Sequence, residues 1–185
     1  MTTALLVIDC QMEFARRTAA GIPRSNPDAE TAIAKVIAAF RARGLPILHI
    51  HHDDPNPKSG FRLGTPGGEV MPCAQNLPGE AVFVKQGSSA FAGTGLAGHL
   101  QGAGLTRLVI IGAAVNYCVA STVRMAADLG FSVVVVQEAV FGFGVTGPDG
   151  AVHGPETVLS VTLGTLSEFA TIVSVTAMTE VLAAG

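Results

Sequence analysis

The feature that most constrains the fold is a series of short, continuous apolar runs separated by segments with helical periodicity. The first run, Ala4-Leu-Leu-Val-Ile8, is apolar at every position, which is typical of a strand buried on both faces. The predicted strands are residues 4–9, 45–51, 81–85, 106–111, 131–137 and 171–175. Their alternation with helices predicts one α/β domain over residues 1–185: a three-layer αβα, Rossmann-like fold with a six-stranded, mainly parallel sheet and helices on both faces.

Residues 53–79 are the longest stretch without helical or strand periodicity, and they are rich in proline and glycine. Long irregular loops in compact domains usually serve as lids or binding loops. We therefore expect this loop to cover a functional site.

Composition limits the classes of partner. Hydrophobic residues make up 49% of the sequence and charged residues only 14%, below the usual share of about 25%. A surface with so little charge predicts a homodimer or homotetramer, although an Ala- and Val-rich helical surface would look the same. The net charge of −3, without a basic stripe, argues against nucleic-acid binding.

The sequence also predicts a location. No apolar stretch approaches the roughly 18 to 20 residues that span a bilayer, which argues against membrane insertion. The N-terminus lacks the charged region of a signal peptide, and the three cysteines have no metal-type spacing. These features predict a cytoplasmic protein.

Three residues whose side chains could take part in catalysis follow or end predicted strands: Asp9, Lys85 and Cys118. Ligand sites of parallel sheets lie at the carboxyl ends of the strands. Cys118 is expected in the first turn of a helix, where the helix N-terminus favours the reactive thiolate. Individually, the three could be a loop-capping carboxylate, a solvated lysine and a small buried hydrophobe. Together they predict a site in which Asp9 is the proton acceptor for a cysteine nucleophile and Lys85 stabilises both.

Four segments carry a family resemblance. They are Leu5-Leu-Val-Ile-Asp9-Cys-Gln11-Met-Glu-Phe14, Phe83-Val-Lys85-Gln-Gly-Ser-Ser-Ala90-Phe91, Gly112-Ala-Ala-Val-Asn-Tyr-Cys118-Val-Ala-Ser-Thr122 and Glu168-Phe169-Ala170. In combination they resemble the isochorismatase-like cysteine hydrolases, and the match covers nearly the whole chain. This family includes nicotinamidases, streptothricin hydrolases, and N-carbamoylsarcosine, ureidoacrylate and biuret amidohydrolases.

The resemblance implies a catalytic triad of Asp9, Lys85 and Cys118. It also implies a cis peptide between Ala113 and Ala114, and an oxyanion hole made by the backbone N–H groups of Ala114 and Cys118. The implied activity is hydrolysis of a C–N bond in a small amide, lactam, ureido or carbamoyl compound through a Cys118 thioester, without a cofactor.

Positions around the implied triad predict a substrate pocket. Phe14 follows the first strand, Phe91 follows the lysine strand, and Val115 and Tyr117 flank the expected oxyanion hole. We add Gln11 as a further substrate-binding residue. With this apolar lining covered by residues 53–79, the pocket should favour compact, partly apolar substrates. Val115 stands at a position where the family often has threonine, so a ligand that needs a polar partner there should be disfavoured.

A metal site is one competing interpretation. His49, His51, His52, Asp53 and Asp54 include ligand types that suit zinc or iron. However, strand alternation puts His49 and His51 on one face and His52 on the other, and the Asp-x-His pair of nicotinamidases is missing. We predict no metal, and interpret the cluster as solvated or locally hydrogen-bonded histidines.

Three competing hypotheses concern the activity itself. The segment Gly93-Thr-Gly95-Leu-Ala-Gly98 matches the dinucleotide-binding glycine pattern, but it does not directly follow a strand and no acidic residue lies about 20 residues further on, so we interpret it as a turn. An isochorismatase-type vinyl-ether hydrolase on the same fold would need no nucleophile, which Cys118 argues against. A non-catalytic binding or scaffold protein remains the third possibility.

Overall fold

A computed structural model describes residues 2–183 of the chain. The strands are β1 (Thr3–Ile8), β2 (Ile47–His52), β3 (Ala81–Lys85), β4 (Arg107–Ala113), β5 (Ser132–Phe141), β6 (Val145–Thr146), β7 (Val152–His153) and β8 (Thr171–Val173). The helices are α1 (Met12–Ala19), α2 (Ala29–Ala42), α3 (Leu96–Gly102), α4 (Ala120–Asp128), α5 (Pro155–Leu166) and α6 (Val175–Ala183). A 3₁₀ turn covers Pro72–Ala74, and a π-helical turn covers Val115–Val119.

Six strands form one parallel sheet in the order β3-β2-β1-β4-β5-β8, and β6 and β7 form a separate antiparallel hairpin. The chain moves outward from β1 to β3 and then returns to the other side of β1 to form β4. This reversal is the topological switch point of a doubly wound sheet, where ligands bind beyond the carboxyl ends of the strands. The predicted α/β class and six-stranded sheet are confirmed.

Side chains of a buried strand alternate between the two faces of the sheet, so both faces present apolar residues. Helices cover each face. In β1, Leu6 and Ile8 pack with apolar residues of α3, α4 and α5, whereas Leu5 and Val7 pack with those of α1, α2 and α6. The two apolar layers explain why the sheet strands read as continuous hydrophobic runs. No helix within residues 2–183 is long and apolar enough to cross a bilayer.

Gly112 brings β4 unusually close to the end of β1. Its φ of +113° lies outside the range of other residues, and a Cβ atom there would lie 2.0 Å from the carbonyl oxygen of Ile8. Glycine therefore allows the two strands to stay paired at the switch point.

Three features differ from the sequence prediction: helix α1, the end of strand β5, and the β6–β7 hairpin, which was not predicted. Helix α1 was not predicted, because Phe14 is its one fully buried residue and no apolar stripe marks it. Strand β5 extends to Phe141, beyond its predicted end, and its pairing with β4 shifts register between Ile110 and Gly112.

Candidate active site

Asp9 lies immediately after β1 in a left-handed backbone conformation, with φ +47°. Aspartate tolerates this conformation better than most residues, and it turns the chain sharply out of the sheet. The backbone remains anchored, because the Asp9 N–H donates to Ile50 and its carbonyl accepts from Gln11. The carboxylate is consequently held in the interior, with the residue 1% exposed.

Lys85 is the last residue of β3 and its side chain is fully buried. Its Nζ lies 2.8 Å from Asp9 Oδ2 and 3.3 Å from Cys118 Sγ. It also lies 3.1 Å from the Gly87 carbonyl oxygen and 3.3 Å from His52 Nδ1. The ammonium group thus connects three strand ends and the cysteine turn in one cluster.

Cys118 lies in the π-helical turn that precedes α4, rather than in the first turn of an α-helix as predicted. The N–H of Val119 donates to the carbonyl of Ala114, five residues back, which defines this wider turn. The Ala113–Ala114 peptide directly before it is cis. The turn carries the sulfur to Lys85.

The electrostatics of the site differ from the thiolate expected at a helix N-terminus. Burial raises the pKa of the Asp9 carboxyl group above its ordinary value, outweighing the opposing effect of Lys85. Burial also raises the pKa of Cys118 to about 11, assisted by the negative charge of Asp9 and opposed by Lys85. Burial therefore favours the neutral thiol at rest, in contrast to the thiolate expected at a helix N-terminus.

A cavity of about 290 Å³ opens beside Asp9 and Cys118. Its walls combine polar groups with a cluster of aromatic rings in which Phe14 lies 4.7 Å from Phe61 and 6.1 Å from Phe143, measured between ring centroids. The lining residues are Asp9, Phe14, Arg17, His52, Phe61, Ala114, Tyr117, Cys118, Phe143 and Gly144. A cavity of this size and character suits a small, partly apolar molecule.

The structure places two of the five predicted substrate residues, Phe14 and Tyr117, on the cavity wall. The other three predicted residues, Gln11, Phe91 and Val115, lie outside this cavity wall. Phe91 stacks on Phe131 in the core, and Val115, the first residue of the π-helical turn, is completely buried. Gln11 is also fully buried; its side chain bonds the backbone of His52 and Gly68, so it joins β1 to the loop.

Arg17, His52, Phe61, Phe143 and Gly144 line the cavity but were not predicted as binding residues. His52 ends β2, so the strand-end rule that identified Asp9 and Lys85 could have found it. Phe61 comes from the predicted covering loop, where no periodicity distinguishes one residue from another. Phe143 and Gly144 belong to the glycine-rich segment 142–150, whose composition indicates a surface loop bordering the site, whereas Arg17 had no signal in the sequence.

The other histidines of the cluster face away from the cavity. His49 Nε2 lies 2.9 Å from Glu80 Oε2, and the ring centroids of His49 and His51 are 6.4 Å apart. Within residues 2–183, no group of three or more His, Cys, Asp or Glu side chains is placed to hold one metal ion.

Comparisons with known proteins place these features in a family. A family profile described as the isochorismatase domain matches residues 3–158. A solved structure of an isochorismatase-family protein from Chromobacterium violaceum ATCC 12472 superimposes with a TM-score of 0.94 and 36% identity, covering 100% of this chain and 95% of that one.

Sequence relatives agree with this match. The uncharacterized isochorismatase family protein YrdC of Bacillus subtilis (strain 168) is 30% identical over 172 residues, which is 92% of this chain and 91% of YrdC. A streptothricin hydrolase of Streptomyces noursei is 33% identical over 139 residues, covering 74% of this chain and 48% of the relative. With the profile spanning most of the sequence and a full-length structural match, the chain belongs to the isochorismatase family of hydrolases.

Proposed function

We propose that this protein is a cysteine amidohydrolase that cleaves a C–N bond of a small amide, lactam, ureido or carbamoyl compound through a thioester on Cys118. The observation that carries the proposal is the single Lys85 ammonium group lying 2.8 Å from a buried carboxylate and 3.3 Å from a thiol at a cavity wall. The streptothricin hydrolase relative supports the amidohydrolase class.

The proposed first half-reaction transfers the thiol proton to Asp9 as the sulfur attacks the substrate carbonyl. Since the pKa of Cys118 is about 11, little free thiolate exists at rest, so proton transfer accompanies S–C bond formation. The Asp9 carboxyl group then donates this proton to the departing nitrogen as the C–N bond breaks. The raised pKa of Asp9 suits a group that must first accept and then return a proton.

The second half-reaction hydrolyses the thioester. Water attacks the thioester carbonyl, Asp9 accepts a proton from that water, and the sulfur leaves and recovers the proton. We place the negatively charged oxygen of both tetrahedral intermediates on the backbone N–H groups of Ala114 and Cys118, two residues that line the cavity. Such donors typically contribute a few kcal/mol each to transition-state stabilisation.

The experiment is an assay of ammonia or amine release over a panel of small amides and ureides, with acid-quenched samples analysed by intact mass spectrometry. The active substrate should leave an acyl adduct on the native protein, and Cys118→Ala should abolish both adduct and turnover. Cys73→Ala, which changes a thiol outside the cavity, is the matched control and should behave as the native protein.

Retained turnover in Cys118→Ala would contradict covalent catalysis. It would instead favour direct attack of water on the amide carbonyl, without a covalent intermediate. If the native protein hydrolyses no compound of the panel and forms no acyl adduct, the proposed amidohydrolase activity is contradicted for the compounds tested.

A further inference from the structure

Lys85 is surrounded by more hydrogen-bond acceptors than it has hydrogens. An ammonium group carries three N–H bonds. Within 3.3 Å of Nζ lie four acceptor atoms: Asp9 Oδ2, the Gly87 carbonyl oxygen, His52 Nδ1 and Cys118 Sγ. The carboxylate and the carbonyl are the nearer two, so His52 and Cys118, both at 3.3 Å, compete for the third N–H.

The outcome of that competition depends on the protonation state of the sulfur. A thiol sulfur is a weak acceptor, whereas an imidazole nitrogen and a thiolate are strong ones. Because an ammonium group can only donate, Nδ1 of His52 must present its lone pair, and the ring hydrogen is then on Nε2. Burial and the positive charge of Lys85 both lower the pKa of His52, which keeps the ring in this neutral form.

We propose that His52 is a positioning residue that takes the third N–H of Lys85 in the empty site and thereby holds Cys118 as a thiol, until attack on the substrate transfers that hydrogen bond to the sulfur. The thiol proton moves to Asp9, and the ammonium group keeps all three of its hydrogens and exchanges one acceptor for another. This inference deepens the proposed function, but its first half concerns the free protein alone.

The surrounding charges are accounted for. Asp9 and Lys85 act on both His52 and Cys118, and Asp53 and Asp54 also act on His52. The last two carboxylates accept backbone N–H groups from the covering loop, at Leu63 and Asn56 respectively. Neither contributes an acceptor to Lys85, so the competition for the third N–H involves only His52 and Cys118 among the described residues.

The test is the pH dependence of Cys118 alkylation by iodoacetamide, followed by peptide mass spectrometry on the free protein. His52→Phe removes the competing acceptor, so the third N–H should turn to the sulfur and favour the thiolate. The alkylation midpoint should fall by about one pH unit, with about threefold faster alkylation at neutral pH once the lower nucleophilicity of a less basic thiolate is included.

Two further variants separate this effect from a general loosening of the site. His52→Asn places an amide oxygen near the position of Nδ1 and should restore the native midpoint. Phe61→Leu alters the wall against which His52 packs but offers Lys85 no different acceptor, so its midpoint should stay within about 0.3 pH unit of the native value. In turnover, His52→Phe should lower kcat more than it changes KM, and His52→Asn should recover most of the loss.

An unchanged or raised midpoint in His52→Phe would overturn the proposal, and so would an equal fall in Phe61→Leu, which would attribute the effect to water entry. The native protein's inactivity on every amide tested would instead count against the proposed function, because the midpoint is measured without substrate.

Discussion

The two ends of β3 carry two carboxylate clusters that look alike and behave in opposite ways. Glu80 lies just before the strand and accepts hydrogen bonds of 2.7 and 2.9 Å from Arg41 and 2.8 Å from the Leu77 N–H, with His49 Nε2 at 2.9 Å. These partners, Arg41 first, lower the pKa of Glu80 to about 2. Asp9, beside the other end, has its pKa raised by burial despite the adjacent Lys85.

The difference lies in how completely each carboxylate is satisfied. Both carboxylate oxygens of Glu80 accept hydrogen bonds from strong donors, so the charged form is stabilised and its affinity for a proton is low. Asp9 Oδ1 is buried without a hydrogen-bond partner among the described residues, which leaves it able to accept a proton. A single ion pair is therefore a poor guide to role: the amino end of β3 has a structural network, and the carboxyl end has a group suited to proton transfer.

The largest effect should come from breaking this contrast at Asp9. Asp9→Asn removes the proton acceptor, so turnover should fall by about 10²- to 10⁴-fold. Glu80→Gln makes the same chemical change at the other cluster and should leave kcat/KM within about threefold of native. The measurement is kcat/KM on the active amide, with circular dichroism as the check on folding. Similar losses in both variants would mean that the two carboxylates are not functionally distinct.

The second prediction concerns stability, for which we expect Glu80→Gln, rather than Asp9→Asn, to cause the larger loss. Glu80→Gln removes a charged acceptor from four donors and should lower the free energy of unfolding at pH 7 by about 1 to 3 kcal/mol. Because the folded pKa is lowered from 4.5 to about 2, the native protein keeps this contribution above pH 4.5 and loses it as pH falls towards 2. The native and variant stabilities should therefore converge over that range.

Urea unfolding at pH 7, 4.5 and 3 would measure the convergence. Asp9 should contribute to stability with the opposite pH dependence. Because its pKa is raised in the folded protein, its ionisation lowers the free energy of unfolding as pH rises through that pKa. A difference between native protein and Glu80→Gln that stays constant from pH 7 to 3 would show that Glu80 does not stabilise the fold through its charge.

The sequence predicted the sheet and the meeting of Asp9 and Lys85 for a common physical reason. Strands buried on both faces must be continuously apolar, so a polar residue at the end of such a run marks the edge of the sheet. Asp9 is found this way, and Lys85 ends the apolar run of β3, an edge strand that exposes Val82 and Val84 on one face; the topology of parallel sheets brings the two side chains together. His52 obeys the same rule and was missed because its neighbours suggested a solvated histidine cluster.

Side-chain direction was not predictable by the same route. Val115 and Tyr117 both precede Cys118 in the π-helical turn, but the turn buries Val115 and leaves Tyr117 58% exposed at the cavity. Phe91 follows Lys85 as Phe14 follows Asp9, and yet one stacks in the core and the other lines the cavity. These outcomes depend on long-range packing that local periodicity does not encode.

Val115→Thr extends the comparison to a buried position that now receives a polar atom. The hydroxyl would enter an apolar site with 0% exposure, so we expect a loss of about 1 to 3 kcal/mol in unfolding free energy. Val123→Thr, an equally buried position on α4, is the control and should lose a similar amount. Relative activity across polar and apolar amides should not change in Val115→Thr. Altered selectivity with no loss of stability would show that Val115 lines the cavity.

The smallest effect should come from the ion pair of Arg17 with Glu13, in which the Arg17 side chain is 42% exposed. The pair is four residues apart on α1, with Arg17 Nε 3.0 Å from Glu13 Oε1, so Arg17→Ala should change the unfolding free energy by no more than about 0.5 kcal/mol. The guanidinium group also lines the cavity and lies 5.1 Å from the Phe61 ring centroid.

Arg17 therefore offers a cation at the mouth of the site, where an anionic substituent of a substrate would meet it. We expect Arg17→Ala to lower activity on carboxylate-bearing amides, relative to neutral amides of the same size, by about two- to fivefold, the range of an exposed ion pair. Arg16→Ala removes the same charge from the exposed side of α1 and should leave that ratio unchanged. An equal shift of this activity ratio in both variants would indicate an effect of the protein's overall electrostatic field. An equal loss of activity on carboxylate-bearing and neutral amides in Arg17→Ala alone would indicate that Arg17 acts by packing against Phe61 rather than by recognising charge.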